Sequence, residues 1–119
     1  MIEIKFFVDR CGGIHMTLRG HAGAAPRGED LVCAACTALA YTAAQAVQDM
    51  HTLGKLVRPP KISIRKGRAT IIATPEKNAV AEALAAFRTV QCGARVLAHN
   101  YPKHVRLEQL RINILDSST

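Results

Sequence analysis

The sequence predicts an α+β fold in the order ββ-α-ββ-α-β, with a mostly antiparallel or mixed sheet and two main helices. Three observations carry this expectation. Apolar and polar residues alternate in several short runs, two long segments repeat apolar residues at helical spacing, and glycine or proline separates the segments. In the first run Ile2, Ile4, Phe6 and Val8 alternate with Glu3, Lys5, Phe7 and Asp9, the pattern of a half-buried strand. Asp9-Arg-Cys-Gly-Gly13 supplies a turn. Ile14, Met16 and Leu18 then alternate with His15, Thr17 and Arg19, completing a hairpin.

From Gly20 to Glu29 neither periodicity holds, which predicts a loop. Its small residues bury little, so the segment Ala22 to Glu29 is expected to be mobile until a peptide binds. Asp30 is a suitable N-cap for a helix running to about Thr52, with Leu31, Ala35, Leu39, Ala43, Ala46, Met50 and Leu53 as its buried stripe. Gly54 is its stop. After the rigid Pro59-Pro60, Lys61–Arg65 and Ala69–Thr74 form a second hairpin about Lys66-Gly67. Pro75 fits the first turn of a second helix, whose stripe is Val80, Ala83, Leu84, Phe87, Val90, Ala94 and Leu97. That helix ends near His99, before Tyr101-Pro102. A last strand is expected in Val105–Ile114.

A chain of 119 residues fits one domain, spanning 1–119 with 116–119 as a frayed tail. Its 49% hydrophobic content excludes a disordered chain. Leu31–Val47 is interrupted by Thr37, Tyr41, Thr42 and Gln45, and so is not expected to span a membrane. The alternating N-terminus does not resemble a signal peptide, which points to the cytoplasm. There the four cysteines, Cys11, Cys33, Cys36 and Cys92, are expected as thiols rather than disulfides. The net charge of +7 favours anionic partners, but the charges are scattered along the chain and only five residues are aromatic. Composition therefore argues against direct nucleic-acid binding as the main function.

The chemistry concentrates in Gly20-His21-Ala22-Gly23 and Gly28-Glu29-Asp30-Leu31-Val32-Cys33-Ala34-Ala35. Cys33 falls in the first turn of the expected helix, where unpaired N–H groups and the positive dipole end favour a thiolate. His21, across a glycine-flanked loop, is a candidate base for that nucleophile. Gly20, Gly23 and Gly28 leave room for close approach of the loop and of a substrate backbone. Spacing alone leaves two options open: a Cys/His pair, or a cysteine buried as a small apolar side chain. Asp30 either caps the helix or also orients His21.

This segment resembles the signature of the bacterial ribosomal-processing cysteine proteases, the Prp family: Gly-His-Ala-Gly followed by Gly-x-Asp-x-Val-Cys-Ala-Ala. Gly20, His21, Ala22, Gly23, Gly28, Asp30, Val32, Cys33, Ala34 and Ala35 fill every signature position. The opening strand pair, the chain length and Tyr101-Pro102 agree in outline. The resemblance implies a cytoplasmic cysteine endopeptidase with Cys33 as nucleophile and His21 as base. Its substrate would be a short N-terminal extension on a large-subunit ribosomal protein, the twenty-seventh in bacterial numbering, with aromatic residues just before the cleavage point. With the alanine-rich helix it also suggests a homodimer, and no metal, cofactor or membrane partner is expected. A basic ribosomal substrate repels a +7 protein, so this substrate does not account for the charge. The chain departs from the family at Cys36-Thr37, where a small aliphatic residue and serine are common, and at Ala24-Ala25-Pro26-Arg27, where an aromatic is common. Both departures bear on substrate preference.

Two other chemistries are weighed. Cys33-Ala-Ala-Cys36 is a C-x-x-C, the spacing of thiol redox proteins, but no βαβ unit surrounds it. Zinc on His21, Cys33 and Cys36 would resemble a deaminase, but Gly23 stands where that pattern needs glutamate. Cys11 and Cys92 read as inert, His15 as solvent-facing, and His51 as complementing a helix end. His99 and His104 flank Tyr101-Pro102, and the sequence suggests no partner for either.

Overall fold

The computed structural model describes residues 1–20 and 27–111, with side-chain surroundings given for 1–20 and 31–111. A five-stranded mixed sheet carries two helices on one face. The elements are β1 (Ile2–Val8), β2 (Ile14–Arg19), α1 (Arg27–Thr52), β3 (Lys61–Arg65), β4 (Arg68–Ala73), α2 (Val80–Asn100) and β5 (Val105–Glu108). The strand order is β3-β4-β2-β1-β5, antiparallel except that β5 runs parallel to β1. This is the α+β arrangement that the alternation predicts.

The turns form for local reasons. The Asp9 carboxylate accepts from the amides of Cys11 and Gly13 at 2.8 and 2.9 Å, and Gly12 takes a φ of +85°. Asp9 thus closes the first hairpin as an Asx turn. The same carboxylate binds His15 Nε2 at 2.7 Å, and the His15 ring stacks on Phe7 with centroids 4.3 Å apart. His15 is therefore held on the sheet surface and is not simply solvent-facing. At the end of α1, Gly54 (φ +73°) donates to the His51 carbonyl, while Lys55 donates to that of Met50. That pair of bonds is a Schellman stop.

The core lies between the sheet and the helices. Ile2, Ile4, Phe6, Ile14, Met16 and Ile71 are almost fully buried from the sheet side, and Phe87 and Val47 from the helices. In α1 the buried stripe is Val32, Cys36, Ala40, Ala43, Ala44, Val47 and Met50, one residue out of phase with the expected one over its first half. Leu31 and Leu53 are 72% and 67% exposed. Alanines sit on both faces of this helix, so its apolar period does not select a phase. The smaller side chains at 40, 43 and 44 let the backbone lie closer to the sheet. Leu39 is half-buried against α2, where a Cβ on Gly93 would come within 2.7 Å of its methyl group.

Other expectations are corrected. α1 begins at Arg27, so residues 27–29 are helical rather than loop and Asp30 lies inside the first turn rather than at the cap. Pro75 bridges Leu56 instead of opening a helix; a short 3₁₀ turn, Lys77–Ala79, precedes α2. Val80 is exposed at the start of α2. β5 is shorter than expected, because the chain after Glu108 turns to α2, where the buried Gln91 Oε1 accepts from the Leu110 amide at 2.6 Å. The loop interior and the tail at 116–119 lie outside the described residues. By length and apolarity Leu31–Thr52 could cross a membrane, but its buried stripe forms part of the core.

Candidate active site

The site begins where β2 ends. Gly20 has a φ of +101°, and a Cβ there would run into the Met1 carbonyl oxygen, so only glycine fits without strain. Its amide donates to the Gly67 carbonyl in the β3–β4 turn at 2.9 Å. The residue before His21 is thus pinned between the N-terminal strand and the second hairpin. His21, Ala22 and Gly23 lie outside the described residues.

On the other side of that loop Gly28 and Asp30 lie in the first turn of α1 and Cys33 in its second. The first-turn placement expected for Cys33 is therefore corrected: it sits one turn beyond the free N–H groups. Buried Val32 and Cys36 lock this stretch of helix onto the core. Cys33 is half-buried at the edge of that stripe, packed against the core on one side and accessible on the other. Thr37 donates its hydroxyl to the Cys33 carbonyl at 2.8 Å, keeping its polar group within its own helix. A nucleophile needs this partial access, since a fully buried thiol could not reach a peptide carbonyl.

Cys36 differs. It is 1% exposed, and burial first, then the nearby Cys33, pushes its thiol up to about 11 from an ordinary 9.0. It therefore stays a neutral packing group at physiological pH. Linkage gives a checkable consequence. The folded state holds the Cys36 proton between pH about 9 and about 11 while the unfolded chain releases it. The stabilisation is complete below pH 9 and is lost as pH rises towards 11, at up to about 1.4 kcal/mol per pH unit. Urea unfolding at pH 8 and pH 10 should show a steeper loss for the wild type than for Cys36→Ala. Equal losses would contradict this placement of the thiol.

All four cysteines are free. Among the described residues no group of three His, Cys, Asp or Glu side chains could hold a metal ion. Two surface hollows among the described residues are lined by residues such as Lys5 and Thr17, or Phe7 and Glu108, and neither includes Cys33.

The family model of cysteine protease Prp matches residues 1–106 of this sequence. The chain belongs to the Prp family of cysteine proteases. The Prp fold is equally evident in solved structures. The essential ribosomal processing protease Prp from S. aureus in complex with a substrate peptide superposes with a TM-score of 0.65 at 21% identity. The match covers 93% of this chain and 100% of that one. The same S. aureus protease with a covalently linked product peptide gives 0.66 at 22% identity over 93% and 100%. SMU.848 from Streptococcus mutans gives 0.64 at 23% identity over 93% and 96%. No curated protein matches the sequence. Of the four cysteines, Cys33 is half-buried, Cys36 is buried, and Cys11 and Cys92 are exposed.

Proposed function

We propose that this Prp-family protease removes a short N-terminal extension from a large-subunit ribosomal protein, the twenty-seventh, with Cys33 as nucleophile and His21 as base. The observation that carries the reading is Cys33 itself: it completes the Gly20-to-Ala35 signature and is only half-buried at the edge of the core. The S. aureus relative with a covalently linked product peptide supports covalent chemistry of this kind. His21 takes the Cys33 Sγ proton, and the thiolate adds to the scissile carbonyl carbon. As the tetrahedral intermediate collapses the C–N bond breaks, and the His21 imidazolium gives its proton to the leaving amine. Water, deprotonated by His21, then cleaves the Cys33 thioester and regenerates the thiol. Asp30 lies in the first turn of α1, three residues before Cys33.

The test uses the precursor of that ribosomal protein, with aromatic residues before the junction. Cleavage at the single bond between extension and mature body is expected. Scattered cleavage, or an intact precursor, would contradict the reading. Peptides lacking the residues upstream of the junction should be cut far more slowly, because ordering the substrate and loop draws on remote contacts. The reaction belongs in the cytoplasm, where thiols remain reduced.

The working form is a homodimer. Leu31, Ala34, Ala38 and Tyr41 follow one another on an outward face of α1, and Leu31 and Tyr41 are 72% and 59% exposed. An apolar stripe of this kind suits a partner helix. Tyr41→Lys is expected to halve the solution mass at micromolar concentration. A wild-type monomer with full activity would refute the dimer.

A further inference from the structure

The sheet face opposite the helices, and so opposite Cys33 on α1, carries a charge pattern of its own. The register lines up Arg65, Arg68, Arg19, Glu3 and Arg106 side by side across all five strands. With neighbouring strands about 4.8 Å apart, this row is about 20 Å long. All four arginines are exposed, and among the described residues none is in an ion pair. The next row reads Ser63, Thr70, Thr17, Lys5 and Glu108, and the third places Phe7 beside His15. A shallow hollow of about 400 Å³, lined by Lys5, Phe7, Thr17, Arg19, Arg68 and Thr70, joins the arginine row to the Phe7 ring. Charges that are scattered in the sequence are therefore gathered by the fold.

We infer that this open sheet face binds single-stranded RNA, with the arginine row on phosphates and the Phe7–His15 stack receiving a base. A row of guanidinium groups neutralises a phosphate chain. The hydroxyls of Ser63, Thr70 and Thr17 offer hydrogen bonds to sugar and phosphate. The Asp9 carboxylate fixes the His15 ring on Phe7, so the stack is built before a base arrives. An acidic peptide would leave that stack unused, and a lipid surface would find few large apolar groups to insert. A second copy of the chain would set one arginine row against another. RNA is the partner the face fits best, and this function is separate from the peptidase site on the helix side.

The probe is a fluorescein-labelled 12-nucleotide oligouridylate, measured by anisotropy with the full chain at 50 and 200 mM KCl. Binding is expected to weaken with salt at a log–log slope of about −2 to −3, as for three to four phosphates on a single strand. Arg65→Glu with Arg106→Glu should weaken it by about tenfold or more, and Phe7→Ala by about fivefold. Arg88→Glu, on exposed α2, should stay within about twofold. Arg65→Gln with Arg106→Gln serves if the double reversal unfolds. Absence of salt-sensitive binding, equal loss with Arg88→Glu, or full binding by the double variant would overturn the inference. So would a drop in solution mass of the double variant, which would mark the face as a protein interface. Peptide cleavage should be unchanged in these variants, so failure here is distinguishable from failure of the peptidase assignment.

Discussion

Cys33→Ala is expected to lower precursor cleavage by about 10⁴-fold or more, because in the proposed mechanism the Cys33 thiolate supplies the electron pair that forms the thioester. The thermal midpoint should move little, since Cys33 is only half-buried. His21→Ala should cost a comparable factor, and the double variant little more, as for residues that act as one unit. Cys36→Ser should behave in the opposite sense. It places a hydroxyl in a site that is 1% exposed, costing about 1–3 kcal/mol of stability, while leaving most of the activity. If Cys36→Ser were as damaging to cleavage as Cys33→Ala at a temperature where both are folded, a C-x-x-C redox chemistry would gain over proteolysis. Cleavage rates, urea midpoints and circular dichroism on Cys33→Ala and Cys36→Ser decide this.

Gly20→Ala is expected to be strongly destabilising. The added Cβ meets the Met1 carbonyl oxygen, which is backbone and cannot turn aside, and the φ of +101° is strained for any L side chain. The two penalties together should exceed about 3 kcal/mol, on the order of 10 °C in Tm for a domain of this size. The damage should not be confined to stability. The Gly20 amide ties the end of β2 to Gly67, and His21 is the next residue. If His21 is the base as proposed, activity is expected to fall by about a hundredfold even where the variant is fully folded, since small misplacements of a catalytic group cost that much. Gly12→Ala is the control, because it also has a positive φ but no atom within 4 Å of the added Cβ. If the two variants lose the same stability and neither loses activity, Gly20 has no part in the site.

Much of the fold is legible in the sequence itself. The strands with one buried face, such as Ile2–Val8 and Ile14–Arg19, declare themselves by alternation. The turn chemistry of Asp9, Gly54 and Gly67 was equally plain, since each answers a local backbone need. The phase of α1 was not legible, because in Leu31–Met50 alanines occupy both faces and only contact with the sheet selects Val32, Cys36 and Ala40 over Leu31, Ala35 and Leu39. Nor was the role of Gln91, whose partner is a backbone amide nineteen residues away. In the candidate site, the helix that carries Cys33 could be read from the sequence, though not its start at Arg27. The hold on Gly20 could not, since Met1 and Gly67 are distant in sequence. The arginine row is of the same kind: Arg19, Arg65, Arg68 and Arg106 become neighbours only through strand register.

The most direct test of the Cys33 assignment is active-site labelling with a chloromethyl ketone built on the extension sequence and ending in its aromatic residue. The full-length protein is treated, digested and mapped by mass spectrometry while residual cleavage of the precursor is followed. The account predicts one equivalent of label, on Cys33 alone, with activity lost in step with its incorporation. Inactivation with the label on Cys11, Cys36 or Cys92, or full labelling of Cys33 with cleavage intact, would contradict it.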